Sequence, residues 1–126
     1  MIDKETLCRI CERIESYRED MIALQTSLTS IPAIGPENGE DGEYEKAKFL
    51  TDYLRTSGFT NISAHNARDD RVSAGVRPNI VLTVPGEKPE KTVWILTHTD
   101  VVPPGDAKLW DHDPYTAVVR NGKIFG

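Results

Sequence analysis

Apolar residues recur near the N-terminus at Leu7, Ile10, Ile14, Tyr17, Met21, Leu24 and Leu28. Steps of three and four put all of them on one side of a helix, with Glu, Arg, Asp and Gln on the other faces. Asp3 stands where a helix cap belongs, and Glu5 lies in the first turn, where the positive end of the helix dipole favours a carboxylate. Burying the whole stripe is worth at most about 10–20 kcal/mol. The pattern therefore predicts a cover for it: a sheet of the same chain, or a second copy in a coiled coil. The stretch 29–42 is loop by composition, dense in Pro, Gly, Asn and Ser. A second amphipathic helix follows, with Tyr44, Ala47, Leu50, Tyr53 and Leu54 on one face. Glu43 and Glu45 mark its start, Arg55 its last turn, and Gly58 its end.

Beyond Gly58 the pattern changes to short β-favouring runs. Phe59–Ala64 is one candidate strand. Ile80–Val84, entered from Pro78 and closed by Pro85-Gly86, is a second. The charged stretches 68–71 and 87–91 read as polar turns. Trp94-Ile95-Leu96-Thr97 reads as a buried central strand, ended by Val102-Pro103-Pro104-Gly105 because proline cannot donate to a ladder. Ala117-Val118-Val119 and Lys123-Ile124-Phe125 flank Asn121-Gly122, a two-residue hairpin signal. Amphipathic helices followed by strands predict an α/β or α+β fold with helices against a sheet.

The polar residues at the end of the central run carry the candidate chemistry. His98 and Asp100 are two apart, so in extended backbone both project to one face. An imidazole and a carboxylate converging at a strand end begin a metal site. They equally suit a local His–Asp pair in a strand-to-loop corner, and an isolated H-x-D does not decide between the two. His65 and His112 have no acidic partner at ligand spacing. Asp106 and Asp113 are placed for turn hydrogen bonds. Trp110 and Tyr115 are placed to pack the loop after His98 and Asp100. Cys8 and Cys11 form a C-x-x-C pair on the first helix, without the strand before it that a redox motif has or the second ligand pair that zinc requires. They read as two plain thiols.

Composition narrows the partners. In 126 residues, 38% are hydrophobic and 28% charged, the balance of a globular domain. A net charge of −5, with basic residues scattered singly, argues against nucleic acid and anionic membrane as partners. No apolar run approaches a membrane span, and Met1-Ile2-Asp3-Lys4-Glu5 lacks a signal peptide's layout, so a cytoplasmic location is expected.

Read together, Ser30-Ile31-Pro32, His98-Thr99-Asp100-Val101-Val102-Pro103-Pro104-Gly105-Asp106, Trp110, Asp113-Pro114-Tyr115 and Asn121-Gly122-Lys123-Ile124-Phe125-Gly126 resemble a known family. It is the di-zinc metallohydrolases that include acetylornithine deacetylase, succinyl-diaminopimelate desuccinylase, aminoacylase and glutamate carboxypeptidase. The resemblance implies a zinc-aminopeptidase-like catalytic domain and hydrolysis of the amide bond of N-acyl amino acids or small peptides at two zinc (or cobalt) ions. It implies that His98 is a metal ligand and that Asp100 holds the imidazole in its tautomer. The chain departs from the family beyond Gly126, where an Arg-Gly, a bridging Asp, a Glu-Glu pair, a further acidic ligand and a final His would follow. The resemblance therefore implies that residues 1–126 are the N-terminal part of the catalytic domain, without the lid and inactive alone. A second expectation, from the residues themselves, is a natural short protein, a catalytically dead module that binds a partner through an exposed sheet edge and the Leu7–Leu28 stripe; in either reading an open apolar edge favours self-association.

Overall fold

Asp3 opens the first helix as its position predicts. Its Oδ1 accepts the Thr6 N–H at 2.8 Å and its Oδ2 accepts the Thr6 hydroxyl at 2.7 Å, bonds that hold the Asp3 carboxyl below the ordinary carboxylate range. The computed structural model describes residues 2–88 and 90–126; Pro89, within the turn expected at 87–91, and Met1 lie outside them. The described residues form two units, 2–30 with 106–126, and 31–88 with 90–105.

In the first unit the single long helix expected through Leu28 is two helices, α1 (Lys4–Glu15) and α2 (Arg18–Thr29). The break has a local cause. The Ser16 hydroxyl donates to the Arg13 carbonyl at 2.7 Å, occupying the acceptor that Tyr17 would use in a continuous helix. The Tyr17 N–H turns instead to the Ile14 carbonyl at 3.0 Å, a tighter turn. The Tyr17 carbonyl then accepts the Met21 N–H at 2.9 Å and restarts the helix. The apolar stripe stays largely uncovered: Leu7, Ile10, Ile14, Tyr17 and Met21 are exposed, and Leu24 and Leu28 are half-buried. The hairpin signal is met by β5 (Val118–Arg120) and β6 (Lys123–Phe125), paired Val118↔Phe125, Val119↔Ile124 and Arg120↔Lys123. Asn121 and Gly122 take φ of 53° and 71°, the left-handed values a two-residue I′ turn demands.

In the second unit α3 (Tyr44–Thr56) ends as predicted. Gly58 adopts φ 91°, and its N–H and that of Phe59 return to the Arg55 and Leu54 carbonyls at 3.0 and 3.1 Å. The next segment doubles back on itself. β1 (Ile62–Ala64) pairs antiparallel with β4 (Ile80–Leu82), in register Ile62↔Leu82, Ser63↔Val81, Ala64↔Ile80. Inside that pair β2 (Ala67–Arg68) faces β3 (Val76–Arg77). The predicted runs 59–64 and 80–84 thus each hold a strand.

The central strand is the main correction. Trp94–Thr97 pairs with no described strand, and Trp94, Ile95 and Leu96 are 69%, 89% and 84% exposed. A mixed sheet packed by two helices is therefore absent among the described residues, where the three strand pairs are antiparallel. The reason is that apolar, β-branched composition suits a strand but supplies no ladder partner. β1 and β4 pair along one edge each, and among the described residues no backbone hydrogen bond joins 94–97 to either. What the structure bears out is the coarser class, helices combined with short strands.

Because Gly122 sits at φ 71°, Gly122→Ala is expected to lower stability by about 1 kcal/mol. Urea unfolding followed by circular dichroism checks this, with an unchanged m-value.

Candidate functional site

The site is built outward from a small buried patch. Ala33 is fully buried, and Ile34, Ala47 and Val72 are nearly so. Onto this patch the chain after His98 is fastened by backbone alone. The Val101 N–H donates to the Ala33 carbonyl at 2.9 Å, and Ile34 and Val101 form a parallel bridge. The Ile34 carbonyl in turn accepts the Gly42 N–H at 2.9 Å.

With Val101 held, Asp100 is held beside it, and Asp100 holds His98. The His98 Nδ1 lies 3.2 Å from the Asp100 Oδ1 and 2.9 Å from the Asp100 carbonyl oxygen. Both neighbours of Nδ1 are acceptors, so the neutral ring carries its proton there and presents the Nε2 lone pair outward. The His98 side chain is 81% exposed and that of Asp100 49%. Such an imidazole can accept a proton or donate its Nε2 to a cation, with the carboxylate fixing tautomer and orientation. The two residues picked out by spacing are thus brought together.

Spacing did not reveal what supports them. Lys46 on α3 is buried, and burial pushes its ammonium below the usual lysine range while the carboxylate of Asp100 draws it back up. Glu43, read from sequence as a helix-start residue, is buried and receives Arg77: its Oε2 lies 2.7 Å from both Nε and Nη2. Arg77 also has Asp69 at 3.9 Å and Glu37 at 4.0 Å, and its guanidinium is held above the ordinary arginine value chiefly by the bond to Glu43. Asp41 accepts the Ser73 N–H at 2.6 Å and the Ser73 hydroxyl. These pairs stitch residues 41–43 to 73–77, across gaps of about thirty positions that no short motif spans. A cavity of about 220 Å³ opens between Pro32, Asp41, Tyr44 and Ser73, and neither His98 nor Asp100 lines it.

The remaining candidates do structural work. His65 Nε2 lies 3.1 Å from the Ser63 hydroxyl, and His112 Nε2 lies 3.4 Å from the Phe125 carbonyl with its ring edge-on to Trp110. Asp106 accepts the Lys108 N–H, and Asp113 accepts the Tyr115 N–H and the Thr116 hydroxyl, each at 3.0 Å. Cys8 and Cys11 are free and exposed. Among the described residues no group of three or more His, Cys, Asp or Glu is placed to hold a metal ion. A catalytic zinc takes three protein ligands and an open position. The residues present thus fit one imidazole ligand and its carboxylate support, and do not fit a complete centre. No helix among them is long and apolar enough to cross a membrane.

No protein-family model matches the chain, and no solved structure does. Its curated relatives are metallohydrolases, and the chain belongs to their family, the one that includes the succinyl-diaminopimelate desuccinylases. It is 36% identical over 115 residues to an uncharacterized metallohydrolase of Methanocaldococcus jannaschii, covering 86% of this chain and 27% of that protein. To a succinyl-diaminopimelate desuccinylase of Xylella fastidiosa it is 30% identical over 112 residues, 85% of this chain and 24% of the relative. To a Cys-Gly metallodipeptidase of Saccharomyces cerevisiae it is 26% identical over 131 aligned positions, 94% of this chain and 26% of the relative. The chain thus spans about a quarter of the length of the relatives it matches.

Glu43→Gln leaves the Arg77 charge part-buried without its carboxylate and is expected to destabilise by about 2–3 kcal/mol, on the low side for a broken buried pair because Arg77 keeps some exposure; the urea midpoint measures it. Asp69 is drawn down to about 2 from 3.8, chiefly by its hydrogen bonds from Arg71. A carboxyl depressed on folding contributes stability that is complete above its unfolded value and is lost as the pH falls through its folded value. Between pH 3.8 and about 2, Asp69→Asn is therefore expected to flatten the loss of stability, read from thermal unfolding across a pH series.

Proposed function

We propose that this chain is the N-terminal part of the catalytic domain of a zinc-dependent (or cobalt-dependent) amidohydrolase or peptidase, of zinc-aminopeptidase-like fold. In this reading residues 1–126 carry one ligand of a paired-metal centre, and the remaining ligands and the lid belong to further polypeptide. The substrates are N-acyl amino acids or small peptides, the kinds of molecule that the names desuccinylase and metallodipeptidase describe in the relatives.

The observation that carries this is the His98–Asp100 pair, an imidazole with Nδ1 engaged by a carboxylate 3.2 Å away and Nε2 open. His98 is the metal ligand. Asp100 is a positioning residue that keeps the ring in the Nε2-donating tautomer and raises its basicity. The Ala33–Val101 bond fixes where the pair stands. A metal bound there would polarise the scissile carbonyl and acidify a water. This chain's own share is to supply and orient one nitrogen donor. One ligand without a general base makes no hydrolase, since loss of acid–base help alone costs about 10²–10⁴ in rate.

Zinc titration followed by ¹⁵N spectra of the histidine rings tests the assignment. The His98 Nε2 resonance is expected to move first and furthest, and His98→Ala is expected to remove the response while leaving His65 and His112 as they were. Asp100→Asn is expected to weaken binding about tenfold. Equal zinc binding by the His98→Ala protein would end the ligand assignment. Metal-dependent turnover of an N-succinyl amino acid or a dipeptide by the chain alone would end the claim that it is inactive.

A further inference from the structure

Lys46 is a cation in a part of the fold that hides its side chains. It is 7% exposed, in the first turn of α3, beside buried Ala47 and three residues after buried Glu43. A lysine is seldom buried this deeply without a carboxylate to answer its charge. Its own helix supplies none. Gly42 stands four positions before it, Phe49 and Leu50 three and four after, and Glu43 is taken by Arg77 at 2.7 Å. The chain after His98 brings the answering charge. Val101 is bonded to Ala33, on the same buried patch that includes Ala47, and Asp100 immediately precedes it. The Asp100 carboxylate and the Lys46 ammonium are not in ion-pair contact. They act on each other through the field, which the burial of Lys46 leaves poorly screened.

We propose that Lys46 is a positioning residue of the candidate site: its buried charge holds the Asp100 carboxylate in place, and Asp100 so held keeps the proton of the neutral His98 ring on Nδ1. The His98–Asp100 contact needs such help. At 81% and 49% exposure, water competes for both side chains, and an exposed pair of this kind is worth little alone. A fixed cation on the protein side makes the inward setting of the carboxylate the favoured one, with Oδ1 left 3.2 Å from the His98 Nδ1. The Asp100 carbonyl, 2.9 Å from the same nitrogen, adds a second acceptor but carries no charge for Lys46 to hold. Lys46, Asp100 and His98 thus form a series from interior to surface. The charge enters at α3, the carboxylate relays it, and the open Nε2 is the product. Putting that nitrogen to use rests on the reading of His98 as a metal ligand, whereas the tautomer itself does not. Lys46 touches neither metal nor substrate in this scheme. What it needs to supply is a positive charge, so arginine can replace it and an uncharged side chain cannot.

Ring ¹⁵N shifts of the three histidines in the 126-residue chain, recorded without metal at a pH where the rings are neutral, test this. His98 is expected to be protonated mainly at Nδ1. Lys46→Met is expected to shift its proton ratio toward Nε2 by about threefold, the order of a weak ion pair. The His65 and His112 signals are expected to stay in place and report an intact fold. Lys46→Arg is expected to keep the ratio. In an Asp100→Ala chain, Lys46→Met is expected to change nothing further, because Lys46 acts through that carboxylate. Should the methionine chain not fold, Lys46→Gln, uncharged but polar, is expected to give the same shift. A His98 ring protonated mainly at Nε2 from the start would overturn the proposal. So would a ratio unmoved by Lys46→Met, an equal move in Lys46→Arg, the same move with Asp100 already removed, or unfolding of both uncharged variants. Zinc takes no part in the readout, so a chain in which His98 binds no metal can still pass, and one in which it does can fail.

Discussion

One backbone hydrogen bond, from the Val101 N–H to the Ala33 carbonyl, is the constraint on which the candidate site depends. Residues 92–97 before it are exposed and, among the described residues, make no backbone hydrogen bond that would fix where His98 points from the upstream side. The bridge supplies that fix from the downstream side. It is itself anchored: Ala33 and Ile34 are buried, Ile34 is tied to Gly42, and Gly42 lies between Asp41, bonded to Ser73, and Glu43, bonded to Arg77. An ion pair and a carboxylate–serine bond at one end of this series are thus linked to an imidazole at the other through short contacts and no regular sheet. A network of this kind is worth little where it is exposed and much where one member is buried, and Glu43 is the buried one.

Local signals read well from the sequence. The Asp3 cap, the Gly58 terminator and the Asn121-Gly122 turn are decided by a few neighbouring residues, and each formed as its chemistry requires. The His98–Asp100 contact was legible for the same reason, since two residues on one face of a short segment need no distant help to meet. What failed was whatever depended on a partner. The stripe from Leu7 to Leu28 kept its period, but the Ser16 hydroxyl and the turn at Tyr17 broke the helix carrying it. The Trp94–Thr97 run has the composition of a strand and no ladder. The Glu43–Arg77 pair escaped notice because an ion pair across some thirty residues leaves no periodic trace, and so did the burial of Lys46, a residue type expected on the solvent face of a helix.

The two large exposed apolar surfaces, the α1 stripe and Val93–Leu96, carry different physical weight. A helix satisfies its own backbone, so an uncovered stripe loses only the free energy of hiding apolar surface. An unpaired strand lacks that and its hydrogen bonds as well. Two of the residues that flank the run carry opposite charge, Lys91 and Asp100, and the second is also the carboxylate that holds His98.

Membership of a metallohydrolase family supplies the expectation of a metal, and the described residues supply one open nitrogen. A cation held by Nε2 would need donors beyond those the described residues group together. Asp100 then has a double duty: its carboxylate orients His98 and also acts on the buried ammonium of Lys46, so the aim of the imidazole and the charge of the buried lysine are set at one side chain.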